Sequence, residues 1–188
     1  MTESPKVVAV CGSLRDDSST RVVLAHVMAA AKASGAQTSV IDLREYDLPL
    51  YNGDKKDAGD AQKLRENIKV ADSIVLGTPI YHGSIASPLK TALDYCGFDE
   101  FEDKPVGLVT VAGGRFPTPS LLHLRTICVW LRAVPLSHQV GIPNISSVIE
   151  DGQLVDNTAL ERAEKLGDKI VEYSYLLDNQ RTDPPTIG

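Results

Sequence analysis

The chain has 188 residues, 43% of them hydrophobic, which suffices for one domain with a buried core and no structural metal or disulfide. Its 19 basic and 25 acidic residues leave a net charge of -6 without any long single-sign block, which argues against a nucleic-acid backbone as partner. No apolar stretch approaches membrane-spanning length, and MTESPK lacks the basic start of a secretory leader. Cys11, Cys96 and Cys128 are odd in number and widely spaced, which suits neither a disulfide framework nor a CxxC pair. A cytoplasmic protein with free thiols and no membrane or nucleic-acid partner is expected.

In chain order, VVAV at 7–10 predicts a first strand, and Val23, Val27 and Ala31 then share one face of a helix that Gly35 ends. TSVIDL from Thr38 reads as the second strand. A charged segment with Leu64, Ile68 and Ala71 at i, i+4 and i+7 predicts a helix before a third strand, SIVLG, at Ser73. A fourth strand is expected near Val106–Val111 and a fifth near Val134–Val140. Between them Leu121, Leu124, Cys128 and Leu131 mark one side of a helix, with Trp130 read as packing or a subunit contact. A last helix aligns Ala163, Leu166, Ile170, Tyr173 and Leu177. Near-continuous apolar strands alternating with helices imply a doubly wound parallel sheet covered on both faces. One domain is expected over residues 1–177, followed from Asp178 by a weakly ordered tail, DNQRTDPPTIG.

Ligands of such sheets bind beyond the carboxyl ends of the strands, where the strand order reverses. The first loop there is CGSLRDDSSTR, residues 11–21. Ser13, Ser18, Ser19 and Thr20 offer hydroxyls, the helix start offers unpaired N–H groups, and Arg15 offers a bidentate cation, a set that suits a terminal phosphate. The competing reading is helix capping by Ser18 or Thr20 with Arg15 solvated. Neither GxGxxG nor GxxxxGK[ST] is present, which disfavours a dinucleotide fingerprint and a Walker site. A Cys-x5-Arg phosphatase loop would need Arg at position 17, where the chain has Asp17, so Cys11 reads as a small buried hydrophobe. No GxSxG elbow occurs, and His26, His82, His123 and His138 lack metal-ligand spacing.

The second loop, GTPIYHGSIASPLK from Gly77 to Lys90, is long for a connection of this kind and ends in a Ser87-Pro88 cap pair. Its Tyr81, His82, Gly83 and Ser84 suit a planar heterocycle, with His82 read as a surface residue rather than an acid or base. The third, AGGRFPTPS from Ala112 to Ser120, brings Gly113 and Gly114 to the edge of a ring and ends in a Thr118-Pro119 cap. Arg115 reads either as an anion contact or as part of a flexible turn, and Phe116 as a cover.

These three segments together resemble the NAD(P)H-dependent FMN reductase family of flavodoxin-like flavoproteins, which includes chromate, quinone and azo reductases. GSLRDDSST matches the family's GSxR followed by S-x-[NT], PIYHGSIASPLKTALD its P-x-Y loop leading into LK-x-ALD, and AGG its fourth-strand loop, in order over residues 6 to 140 or so. His82 stands where many members carry an amide or lysine, and the third loop has fewer glycines. The resemblance implies a flavodoxin-like, five-stranded parallel sheet in the order 2-1-3-4-5. It implies FMN and NADPH (or NADH) as cofactors, and a small-molecule electron acceptor. Ser13, Arg15, Ser18, Ser19 and Thr20 would hold the flavin phosphate; Pro79, Ile80, Tyr81, His82, Gly83 and Ser84 would line the ring; Gly113, Gly114 and Arg115 would border its other side.

In that family's chemistry hydride passes from nicotinamide to a flavin stacked on it at about 3–3.5 Å, and the protein positions the rings without a catalytic triad. The rival reading is a non-enzymatic electron-transfer module of flavodoxin type. The absence of tryptophan from all three loops and the modest acidity favour the reductase. A homodimer or homotetramer is expected, from the apolar segment TICVWLRAVPL at 126–136 and from the relatives' shared nicotinamide pocket.

Overall fold

The computed structural model describes residues 3–182. Its elements run β1 (Lys6–Cys11), α1 (Ser19–Ala33), β2 (Gln37–Asp42), α2 (Ala61–Lys69), β3 (Ser73–Tyr81), β4 (Ser84–Ile85), α3 (Ser87–Asp94), α4 (Phe98–Phe101) and β5 (Pro105–Val111). Then follow α5 (Thr118–Trp130), β6 (Val134–Pro135), β7 (Val140–Ile142), the hairpin strands β8 (Ile149–Glu150) and β9 (Gln153–Leu154), and α6 (Asn157–Thr182). Among the described residues, no helix is long and apolar enough to cross a membrane.

The central strands are apolar at nearly every position because each face of the sheet meets helices. In β1, Val8 and Val10 enter one core with Leu64 and Ile68 of α2, Leu89 and Leu93 of α3, and Leu121 and Leu124 of α5. Val7, Ala9 and Cys11 point the other way, into a core with Val23 and Val27 of α1 and Leu166 and Ile170 of α6. Alternation across a strand thus serves two buried faces.

The parallel ladder runs β2-β1-β3-β5, and β6 and β7 both pair with β5 at the edge, so the expected five-position doubly wound sheet is present. The edge strand is interrupted. Val106 pairs with Pro135 and Val109 with Val140, so β5 advances three residues while the edge segment advances five. The break has a local cause: the Leu136 carbonyl accepts from the side chains of Arg125 and Gln139.

Two local expectations are corrected. The second loop is not a long irregular connection, because β3 continues through Tyr81 and turns at His82-Gly83 into β4. Both central residues have positive φ, 52° and 78°, as a two-residue hairpin turn requires. The Ser87-Pro88 and Thr118-Pro119 pairs lie one position inside their helices. The N-caps are Ala86 and Pro117, without a side-chain cap bond, and Ala86 is fixed instead by donating its N–H to Thr78 Oγ1 at 3.0 Å. At the C-terminus α6 continues to Thr182, and residues 183–188 of the expected tail lie outside the described residues.

The tightest approach near the strand ends is at Gly12. A Cβ there would stand 2.7 Å from Leu89 Cβ in α3 and 3.1 Å from the Gly77 carbonyl oxygen. Neither atom is the end of a flexible side chain. We expect Gly12→Ala to cost about 1–3 kcal/mol, the usual range for overpacking, seen as a lower urea midpoint at unchanged m-value. An unaltered midpoint would show that this contact is slack.

Candidate functional site

The strand ends set the site. Cys11 of β1 pairs with Gly77 of β3, Gly77 with Val109 of β5, and Pro79 with Val111, so three adjacent strands release their loops at one edge. The strand order reverses between β1 and β3, which is where a crevice forms in open parallel sheets. Residues 12–18, the β3–β4 hairpin and residues 112–117 therefore face a common region.

In the first loop, Ser18 is the N-cap of α1, its Oγ accepting from the Arg21 N–H at 3.2 Å. The Val22 N–H goes to the Ser18 carbonyl, which leaves the first-turn N–H groups of Ser19 and Thr20 without an acceptor from the helix. Ser13, Ser18 and Thr20 are buried, whereas Ser19 is half-buried and Arg15 exposed. The hydroxyls thus contribute less open surface than their number suggests. Among the described residues, the Arg15 side chain has no ion-pair or hydrogen-bond partner.

Cys11 lies beneath this loop, fully buried. Burial pushes its thiol up from the ordinary value, only partly offset by the Ser13 N–H, nearby Arg21 and Ser18. It therefore stays a neutral thiol, which fits a packing residue and not a thiolate nucleophile.

The loop is stapled by residues that sequence reasoning missed. Arg21 donates from Nε to Asp42 Oδ2 at 3.0 Å and from Nη1 to the carbonyls of Asp16 and Arg15 at 3.1 and 3.4 Å. Arg44 donates from Nη2 to the same carboxylate oxygen at 2.7 Å and reaches Asp16 at 3.2 Å. The available signal was positional: Asp42 ends β2, directly beside Cys11 in the parallel register.

In the hairpin, Tyr81 is half exposed, His82 and Gly83 are exposed, and Ser84 Oγ lies 3.0 Å from His123 Nδ1 of α5. Pro79 and Ile80 are half-buried. The third loop is tied from behind: the Ala112 N–H donates to the Ile142 carbonyl at 2.8 Å and the Asn144 N–H to the Gly114 carbonyl at 2.9 Å. A Cβ at either Gly113 or Gly114 would meet nothing within 4 Å, so the surface beside them is open. Arg115 and Phe116 are exposed alongside. A cavity of about 610 Å³ borders Arg15, Ser18 and Ser19 but extends toward His26 and the β8–β9 hairpin, away from residues 79–84 and 113–115.

Loops leaving adjacent strands at a topological switch point, with an unpaired arginine just before a helix start on one and a half-exposed tyrosine hairpin on the next, are the arrangement of a flavodoxin-like nucleotide-binding protein. The comparisons make this specific. The sequence model of the NADPH-dependent FMN reductase family matches residues 5–147, and the chain belongs to that family. It is accordingly an NAD(P)H-dependent oxidoreductase, with FMN and NADPH as its cofactors.

Among its relatives are an NADPH azoreductase of Bacillus sp. (strain OY1-2), 34% identical over 79% of this chain and 82% of the relative. An FMN-dependent NADPH-azoreductase of Staphylococcus aureus (strain USA300) is 31% identical over 89% and 94% respectively. Among solved structures, the flavoenzyme NAD(P)H:(acceptor) oxidoreductase FerB of Paracoccus denitrificans superposes with a TM-score of 0.76 at 20% identity, covering 92% of this chain and 98% of that one. That similarity shows the fold.

The buried carboxylate supplies a prediction. Burial works to raise the pKa of Asp42, but the hydrogen bonds from Arg44 and Arg21 outweigh it and hold the carboxyl below its ordinary range. A depressed native pKa contributes stability that is complete above the unfolded value, about pH 4, and is lost as pH falls through the native one. The stability gap between wild type and Asp42→Asn, measured by urea unfolding, is expected to be wide at pH 6 and to narrow toward pH 3. A gap independent of pH would contradict the pairing.

Proposed function

We propose that the three loops bind FMN, and that the protein uses NADPH to reduce it and passes the electrons to a small conjugated acceptor such as an azo compound. The observation that carries this reading is the unpaired Arg15 beside the free first-turn N–H groups of α1, at the same sheet edge as the Tyr81 hairpin and the open surface of Gly113-Gly114. The azo preference rests on the names of the two relatives, which cover most of this chain.

FMN, when bound, would supply a two-electron carrier able to take hydride from NADPH and a proton from solvent and to give two electrons to an acceptor. The chain's own residues position and neutralise. Arg15, the N–H groups of Ser19 and Thr20, and the hydroxyls of Ser13, Ser18, Ser19 and Thr20 would hold the phosphate. Pro79, Ile80, Tyr81, His82, Gly83 and Ser84 would support one side of the ring, with Gly113, Gly114 and Arg115 along the other. The open space beside the two glycines and the exposure of Tyr81 fit a flat ring there. Positive φ at both His82 and Gly83 turns the hairpin tip tightly, which keeps Tyr81 and Ser84 paired in register.

The acceptor is tested by anaerobic decolourisation of an azo dye with FMN and NADPH, against a quinone as the competing acceptor. Dye reduction that requires the protein, FMN and NADPH together supports the reading, and quinone reduction without dye reduction would replace the acceptor. The phosphate cradle is tested separately. Arg15→Ala is expected to weaken FMN binding by about 1.5–3 kcal/mol while leaving riboflavin binding unchanged, because one charge-assisted contact to phosphate is lost. Equal losses for both flavins would reject the assignment.

We also propose that two copies of the chain associate through α5. Trp130 is 81% exposed, and Leu122 and Val129 are exposed on the same helix. The helix α6 belongs to the core on the opposite face of the sheet, so it does not cover Trp130. A groove of about 560 Å³ beside this stripe is lined by Ile85, Lys90, Thr91, His123 and Ile127 and also by Ser84 of the hairpin. A second copy seated here would lie next to the ring site. Trp130→Glu is expected to shift sedimentation velocity toward the monomer at micromolar protein, and an identical distribution would place the interface elsewhere.

A further inference from the structure

The Arg21 guanidinium joins three things: the carboxylate at the end of β2, the carbonyl of Arg15 and the carbonyl of Asp16. Those carbonyls belong to successive peptide planes of the first loop. In a trans peptide the C=O and the following N–H point in opposite directions. Holding the Arg15 and Asp16 oxygens toward Arg21 therefore turns the N–H groups of Asp16 and Asp17 away from it. Two adjacent N–H groups turned to the same side of the loop, next to the free N–H groups at the start of α1, can donate together to an anion.

Asp42 decides where that guanidinium sits. Its side chain is 12% exposed, and its two oxygens accept from Arg21 Nε, from the side chain of Arg44 and from the Arg44 N–H at 3.1 Å. Arg44 in turn reaches the fully exposed carboxylate of Asp16 at 3.2 Å, which draws one acidic group of the loop toward β2. Arg21 and Arg44 are both engaged by this carboxylate, and Arg15 is left as the loop's uncommitted cation.

We propose that Asp42 is the positioning residue of the phosphate loop: through Arg21 it sets the direction of the Asp16 and Asp17 N–H groups, and so selects a phosphorylated flavin over an unphosphorylated one. The inference deepens the FMN-binding reading and rests on it. Asp42 itself does not contact the flavin. It acts by orienting main-chain donors, and removing its charge loosens Arg21 and lets the loop carbonyls turn.

The experiment measures dissociation constants for FMN and riboflavin by fluorescence quenching, with wild type, Asp42→Asn and Arg21→Met. Arg21→Met leaves the buried carboxylate its Arg44 partners and so keeps the β2 end satisfied. Each variant is expected to lose at least about tenfold in FMN affinity, the scale of one or more charge-assisted contacts, with riboflavin affinity unchanged. The double variant should lose no more than the worse single one, because both changes break one device. If wild type binds riboflavin as tightly as FMN, the phosphate-cradle reading itself fails. If wild type prefers FMN and both variants keep that preference, or lose both flavins equally, the role assigned to Asp42 is overturned while the cradle stands.

Discussion

The site depends on the parallel ladder between β1 and β3, in which Cys11 pairs with Gly77 and the next amide, Gly12 N–H, donates to the Gly77 carbonyl at 2.8 Å. That last bond fixes where β1 stops being a strand and how the chain leaves it. With Leu89 of α3 packed against Gly12, the first loop has one way out, across the edge toward α1. The β3 hairpin and the third loop start from the neighbouring strands at matching heights. The convergence of the loops is thus a matter of sheet register, set before any functional side chain is considered.

Charge arrangement then divides the loop's work. A strand-end carboxylate that is nearly inaccessible would be costly alone, and two guanidinium groups satisfy it. Those arginines are thereby used up in shape, which separates them from Arg15. The outer link from Arg44 to Asp16 lies in solvent and contributes little stability, so the inner Arg21–Asp42 pair carries the mechanical role.

Much of this was legible in the sequence because two-faced burial leaves a pattern: short apolar runs at 7–10, 73–77 and 106–111, alternating with helical periods, read as central strands, and Val23, Val27 and Ala31 as the face of a covering helix. The three loops were legible as the segments that follow β1, β3 and β5. What escaped came from tertiary choices. The hairpin at Tyr81–Ser84 was hidden because its first turn residue, His82, takes a left-handed conformation that is uncommon for any residue but glycine. At α3 the cap lies one residue earlier, where Thr78, eight residues back, holds the Ala86 N–H. The Arg21–Asp42 staple was invisible because its partners are 21 residues apart and meet only once β1 and β2 lie side by side.

The account holds that one edge of the sheet binds FMN and admits NADPH to it, which makes the protein a reductase and not an electron shuttle of similar fold. Stopped-flow absorbance under anaerobic conditions, mixing FMN-loaded protein with NADPH and following the visible band of the oxidised flavin, tests this directly. The account predicts a single fast loss of that band to the two-electron-reduced level, saturating with NADPH. Flavin that stays oxidised with NADPH, yet yields a stable one-electron-reduced form with a chemical reductant, would contradict it.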